Sequence, residues 1–126
     1  MRLKVEDVMN TNLVFIESNA TVKEAIETML KKRIRSLIVK PSDERDSYGV
    51  ITVRDIVFGV IANELRPEDV KVRDIASKPI VIVPKGTELK DVIRLMKRFN
   101  IARVFVMDEG KIVGVVALMD IMKHMV

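Results

Sequence analysis

The chain has no cysteine, a single histidine, five glycines and only one tyrosine and four phenylalanines among its 126 residues. Without cysteine there is no disulfide, thiolate metal site or cysteine nucleophile, a composition that suits a reducing interior, and a cytoplasmic location is expected. The lone His124 has no partner at triad or metal-ligand spacing. No Gly-x-x-x-x-Gly-Lys-Ser/Thr run occurs, no serine has an evident base, and Gly86 before Thr87 reads as a turn into a helix, so an enzymatic role is not expected. The few aromatics form no base-stacking platform, which weakens the case for RNA. The amino terminus MRLKVEDVMN carries charges where a signal peptide needs an apolar stretch. The longest apolar run, Ile112 to Met119, falls short of the roughly 18 residues needed to cross a bilayer, so no targeting or membrane segment is expected.

Hydrophobic residues make up 48% of the chain and charged residues 32%, enough for both a core and a solvated surface, and disorder is not expected. The length suits one compact domain or two small halves sharing a core. The net charge of +4 and pI near 9.5 favour anionic partners without choosing among nucleotides, nucleic acid and acidic proteins.

Sliding the sequence against itself reveals a tandem repeat. At an offset of 67, Val5 falls on Val72, Asp7 on Asp74, Val14 on Val81, Lys23 on Lys90, Ile26 on Ile93, Met29 on Met96, Ile34 on Ile101 and Val39 on Val106. Beyond Val39 the offset drops to 65, placing Gly49, Val50, Asp55 and Ile56 on Gly114, Val115, Asp120 and Ile121. The first copy therefore has two extra residues, in the polar stretch Pro41 to Ser47, where added loop length costs little. The repeats span residues 1–65 and 66–126, with Pro67 in the polar linker placed to end one segment and open the next.

Each copy reads as β-α-β-β-α, an α/β fold. Leu13 to Ile16 and Ile80 to Val83 are short, rich in β-branched residues and read as buried strands. Val22, Ala25, Ile26, Met29 and Leu30 recur at helical spacing behind a Thr21-x-x-Glu24 capping box, as do Leu89, Val92, Ile93 and Met96. Hairpins follow: Ser36 to Val39 with Tyr48 to Ile51, and Arg103 to Val106 with Ile112 to Val116 through the turn Asp108-Glu109-Gly110-Lys111. The closing helices are apolar around most of their circumference, Ile56 to Ala62 in one copy and Ile121, Met122, Met125 and Val126 in the other. Such helices are normally buried against a second layer, here both the sister repeat and another chain, and a homodimer is expected, with a thick intramolecular core alone as the alternative.

The last strand enters the final helix through Gly49-Val50-Ile51-Thr52-Val53-Arg54-Asp55 and Gly114-Val115-Val116-Ala117-Leu118-Met119-Asp120. The first resembles the signature of the cystathionine-β-synthase (CBS) domain, glycine and an apolar pair followed by Thr/Ser-x-x-Asp. The second keeps the glycine and aspartate but has Ala117 at the hydroxyl position. The resemblance covers nearly the whole chain. It implies two units paired about a pseudo-twofold axis, with clefts between them that hold AMP, ADP, ATP or S-adenosylmethionine, and no prosthetic group. It gives the aspartate the task of holding the ribose hydroxyls. That chemistry is sound, because a carboxylate accepts two hydrogen bonds from a cis-diol and a hydroxyl or N–H at a helix start can donate to phosphate.

By this resemblance one cleft uses Thr52 and Asp55 with Pro79, Ile80, Val81, Ile101, Ala102 and Arg103, the branched side chains sandwiching a purine and Arg103 neutralising phosphate. The twin, weaker cleft uses Asp120 with Leu13, Val14, Ile34, Arg35 and Ser36. Thr-x-x-Asp at a helix start is equally a capping box, with Asp55 favoured near the positive helix end; the persistence of Asp120 without a hydroxyl partner tips the balance toward ligand binding. The basic run Lys31-Lys32-Arg33, with Arg35 and Lys97-Arg98, reads first as a solvated helix end and second as a steering patch for phosphate or RNA. The expected function is a stand-alone regulatory sensor of adenosine-type ligands acting on a protein the sequence does not identify. A nucleic-acid (RNA) binder and a ligand-free dimerisation scaffold are the alternatives.

Overall fold

Both repeats fold through the same strand, helix, hairpin and helix in the computed structural model, which describes residues 2–126. The first contributes β1 (Phe15–Ile16), α1 (Val22–Lys32), β2 (Ser36–Val39), β3 (Gly49–Thr52) and α2 (Val53–Ile56). A helical turn α3 (Val72–Ile75) then precedes β4 (Ile82–Pro84), α4 (Leu89–Phe99), β5 (Arg103–Asp108), β6 (Lys111–Ala117) and α5 (Leu118–His124). In each three-stranded sheet the first strand is parallel to the second, which the intervening helix makes possible, and the second and third form the antiparallel hairpin.

The compact units are cut differently from the sequence repeats. One is Val14–Ile80; the other joins the segment ending at Leu13 to Val81–Val126. Each thus contains the core of one repeat and the leading strap of the repeat that follows or precedes it in sequence.

In the Val14–Ile80 unit the strap is the stretch Val70 to Ser77. Val22 N, the first amide of α1, donates to Val70 O at 2.8 Å, and Val72 N donates to Ala20 O at 2.8 Å. A helix leaves its first amides without internal partners, so the strap completes α1. Thr21 supplies the other part of the cap, accepting from Glu24 N at 3.2 Å as expected from the sequence. Val72 is fully buried in a core with Val22, Ala25, Met29, Leu37, Val39, Ile51, Ile56 and Val60, a contribution of about 1.5 to 3 kcal/mol for such a side chain. The strap ends as an added edge to the sheet, where Val50 and Ser77 exchange backbone hydrogen bonds of 3.0 and 2.9 Å.

The other unit repeats this arrangement. Leu89 N donates to Leu3 O at 2.8 Å, Val5 N to Thr87 O at 2.8 Å, and Asn10 and Val115 form the edge bridge. Val5 sits with Val83, Val92, Met96, Val104, Val106 and Val116 in the core. Both long helices end in a left-handed residue, Arg33 (φ 55°) and Asn100 (φ 52°), letting Ile34 N and Ile101 N bond back to Met29 O and Met96 O at 3.0 Å.

The differences from the sequence reading are local. Regular pairing of the first strands is shorter than expected, although Val14 O and Val81 O still accept from Ile38 N and Phe105 N at 2.9 Å. The hairpin of the second repeat is longer, its register shifting at Val106/Met107. After α2 the helix widens into a π turn over Val57–Ile61, where Ala62 N donates to Val57 O at 2.8 Å. The apolar faces of the closing helices are not covered: Val53, Val57, Phe58 and Ile61 are exposed in one unit, and Leu118, Met119, Met122 and Met125 in the other.

Candidate functional site

Thr52 ends β3 in extended conformation (φ −119°, ψ 165°) and caps α2. Its hydroxyl oxygen accepts from Asp55 N at 3.2 Å, while its own N–H and O–H both donate to Asp55 Oδ2, at 2.8 and 2.9 Å. The capping arrangement foreseen as one meaning of Thr-x-x-Asp is therefore realised in full. It occupies Oδ2 and the threonine hydroxyl proton. Among the described residues Asp55 Oδ1 has no protein partner, so one face of the carboxylate retains its accepting capacity.

Asp120 is placed in the same way in the other unit, with Oδ2 accepting from Ala117 N at 2.8 Å. Ala117 offers no oxygen to the helix in return. The persistence of Asp120 without a hydroxyl partner therefore follows from half of the capping box, and does not by itself favour a ligand.

The signature glycines have a job that the motif alone does not reveal. Neither has positive φ; each lies where the strap crosses the third strand. A Cβ on Gly49 would stand 2.6 Å from Lys78 Cγ and 2.9 Å from Ser77 O, and one on Gly114 would stand 2.7 Å from Met9 Cγ, with Met9 Sδ closer still. Hydrogen alone fits in these places.

Beside Asp55 the Val14–Ile80 unit has an open concavity of about 380 Å³ lined by Arg54, Asp55, Phe58, Gly59 and Ile75. The Arg54 guanidinium lies 4.8 Å from the centre of the Phe58 ring, which holds a cation over an aromatic face one helical turn away. Sequence reasoning passed over Arg54, Phe58 and Ile75. The i, i+4 spacing of Arg54 and Phe58 was the available signal; Ile75 could not be found because it arrives on the strap.

The remaining sequence-predicted residues fall as follows within each unit. Ser36 is the register partner of Thr52, and Arg35 O accepts from Val53 N at 3.0 Å, so the start of the second strand lies beside the signature helix of its own repeat. Ile34 packs partly buried against the core. Pro79 is exposed and Ile80 half-buried; they follow Ser77, whose antiparallel bridge to Val50 directs the chain toward the start of β3, whereas Ile75 lies at Asp55. In the other unit Arg103 is the register partner of Ala117, Ala102 O accepts from Leu118 N at 3.3 Å, and Ile101 packs against Met96 and Ile121 in a groove. Val81 is half-buried above its core, and Leu13 N donates to Thr11 O at 2.9 Å. Lys31 and Lys32 are exposed in the last turn of α1. His124 is exposed at the end of α5, and no group of acidic or histidine side chains among the described residues could hold a metal. No helix among the described residues is long and apolar enough to cross a membrane.

One carboxylate stands outside this region with a strongly altered titration. Asp46 is held well below the usual carboxylate range by the Lys78 ammonium, 2.6 Å away, and by the Ser42 N–H at 2.8 Å.

Solved structures share this architecture. The hexameric CBS-CP12 protein of bloom-forming cyanobacteria superposes with a TM-score of 0.85 at 35% identity, over 97% of this chain and 67% of that one. An uncharacterised protein of Pyrococcus horikoshii gives 0.82 at 26% identity, over 99% and 93%. Among curated sequences, an uncharacterised protein of Methanocaldococcus jannaschii is 30% identical over 94% of this chain and 41% of its own length. Hypoxic response protein 1 of Mycobacterium tuberculosis is 28% identical over 94% and 82%. The chain spans 41 to 62% of the first three archaeal relatives it matches. The CBS domain model matches twice, over residues 5–61 and 72–126, each time covering the strap, sheet and signature helix described above; the chain belongs to the CBS-domain family, as a tandem pair.

Proposed function

We propose that this CBS pair is a regulatory sensor of adenosine-type ligands, AMP, ADP, ATP or S-adenosylmethionine, without catalytic activity of its own and serving a regulated protein in the cytoplasm. The observation that carries the reading is the open Oδ1 of Asp55 beside Arg54 at the rim of the 380 Å³ concavity. Asp55 would accept from the ribose diol while the guanidinium, leaving the Phe58 ring, meets phosphate or carboxylate. Pro79 and Ile80 of the same unit, and Val81, Ile101, Ala102 and Arg103, belong to the proposal on the family resemblance. On the same resemblance, Asp120 with Leu13, Val14, Ile34, Arg35 and Ser36 is assigned to a second, weaker site, which lacks the hydroxyl and has Met119 where the first has Arg54. The cytosolic domain of the Mg2+ channel MgtE, solved in complex with ATP, superposes with a TM-score of 0.77 at 24% identity, over 96% of this chain and 48% of that one.

Titration calorimetry with the four compounds tests the reading, and heat from none of them refutes it. Asp55→Ala removes a charge-assisted bond of about 1.5 to 3 kcal/mol and should weaken binding roughly tenfold to a hundredfold. Unchanged affinity with a lowered melting temperature would reduce Asp55 to its capping role.

A homodimer is part of the proposal. Leu30, Val53, Val57 and Ile61 surround an apolar groove floored by Ile26, Met29 and Ile56, and the repeat-related groove carries Ile93, Met96, Ile101, Leu118 and Ile121. Leu30 and Leu118 are 75% and 54% exposed, a density of apolar surface that a second copy of the same chain would cover.

A further inference from the structure

The two extra residues of the first repeat lie in a loop that takes part in a contact its sister lacks. Ser42 N and Ser42 Oγ donate to Asp46 Oδ2 at 2.8 and 3.0 Å, and Asp46 N in turn donates to Asp43 Oδ1 at 3.1 Å, closing the loop into a compact acidic ring. Lys78 Nζ meets that same Asp46 oxygen at 2.6 Å, with both side chains only 21% exposed. The stem of Lys78 lies over Gly49, so its route to the loop exists only because position 49 has no side chain. Lys78 directly precedes Pro79 and Ile80.

The other repeat has nothing equivalent. Its hairpin is the tight turn Asp108 to Lys111, the position matching Asp46 is Lys111, the position matching Lys78 is Thr11, and the slot over its glycine is filled by the thioether of Met9. The ion pair is thus dispensable to the fold and particular to one unit.

We infer that Asp46 and Lys78 are positioning residues: the loop insertion is a socket that pins the strap where it delivers Pro79 and Ile80, and so tunes the affinity of the site to which those two residues belong. The inference rests on the proposed ligand reading for its effect on affinity, but not for the pinning itself. Three donors converge on one carboxylate oxygen, which fixes the loop and the ammonium together. The cation is already neutralised, so Lys78 acts through Pro79 and Ile80 and not as a phosphate ligand.

The test uses the full chain, with Asp46→Asn, Lys78→Met, which keeps the stem over Gly49 but removes the charge, and Lys78→Arg, which keeps both. In the ligand-free protein, amide exchange at Val50 and Ser77 should quicken in Asp46→Asn and Lys78→Met alike, no further in the double variant, and should stay near wild type in Lys78→Arg. Calorimetry with ATP should show binding weakened about threefold to fivefold in the first two, with Lys78→Arg close to wild type. Exchange unchanged in both charge-removing variants overturns the pinning. Faster exchange with unchanged ATP affinity overturns the positioning role. If wild type binds none of the adenosine compounds, the sensor reading falls, and the exchange measurements alone decide whether the socket pins the strap.

Discussion

Replacing each signature glycine by alanine separates two kinds of close approach. At Gly49 the new methyl would meet Lys78 Cγ at 2.6 Å and the backbone oxygen of Ser77 at 2.9 Å. That oxygen already accepts from Val50 N at 3.0 Å, so relieving the clash means moving the strap and loosening the edge bridge. At Gly114 every close neighbour is an atom of Met9, Cγ at 2.7 Å and Cβ at 3.1 Å among them, and a thioether chain can turn aside. Overpacking of this kind costs about 1 to 3 kcal/mol. Gly49→Ala should fall near the upper limit, about 2 to 3 kcal/mol, and Gly114→Ala near the lower, about 1 to 2 kcal/mol. At about 4 °C per kcal/mol for a chain of this size, the two melting temperatures should drop by roughly 10 °C and 6 °C. Double-mutant cycles in urea sharpen the distinction. Met9→Ala should rescue Gly114→Ala with a coupling of about 1 kcal/mol, whereas Lys78→Ala should rescue Gly49→Ala only in part, since the carbonyl remains. Equal rescue at both glycines, or none at Gly114, would refute the assignment of the glycines to strap crossing.

Two further outcomes are expected. Ala117→Thr gives Asp120 N the hydroxyl acceptor that Asp55 N already has, and should raise stability by about 0.5 to 1 kcal/mol in thermal unfolding; no gain would mean that α5 is capped by water equally well. Sedimentation of the wild-type chain should give a dimer, converted to monomer by Leu30→Lys with Leu118→Lys without loss of folding, since both side chains are exposed in the single chain; a monomeric wild type would sink the homodimer.

The elements were legible because their signals are local. Val22, Ala25 and Met29 mark the buried face of α1, and the 67-residue offset transfers that assignment to Val92 and Met96. The strap exchange was not legible. The offset shows that Val5 and Val72 are equivalent, but either could serve either repeat, and only tertiary packing decides that Val72 lies against α1. The π turn at Val57–Ile61 was hidden for a related reason: a wholly apolar segment has no polar face whose drift would betray a change of helical pitch. At the site, Thr-x-x-Asp correctly announced a cap and left its second meaning open, whereas the socket at Asp46 joins residues 32 positions apart and leaves no periodic trace.

The two repeats act as controls for one another, because each shows what the other could do without and still fold. Glycine and aspartate occur in both, and both are accounted for by backbone demands: room for a crossing strap, and an acceptor for the N–H at the start of a helix. Thr52, Arg54 and the pair Asp46 and Lys78 have no polar counterpart that repeats their contacts; the equivalent positions hold Ala117, Met119, Lys111 and Thr11. A sheet and helix of the same topology form without them. Thr52 and Arg54, polar groups that the fold does not require, stand beside an aspartate with a free oxygen, and they are a stronger argument for a ligand than the aspartate itself. On the proposed reading, the site of Asp120, with Ala117 and Met119 at the positions of Thr52 and Arg54, is the weaker of the two.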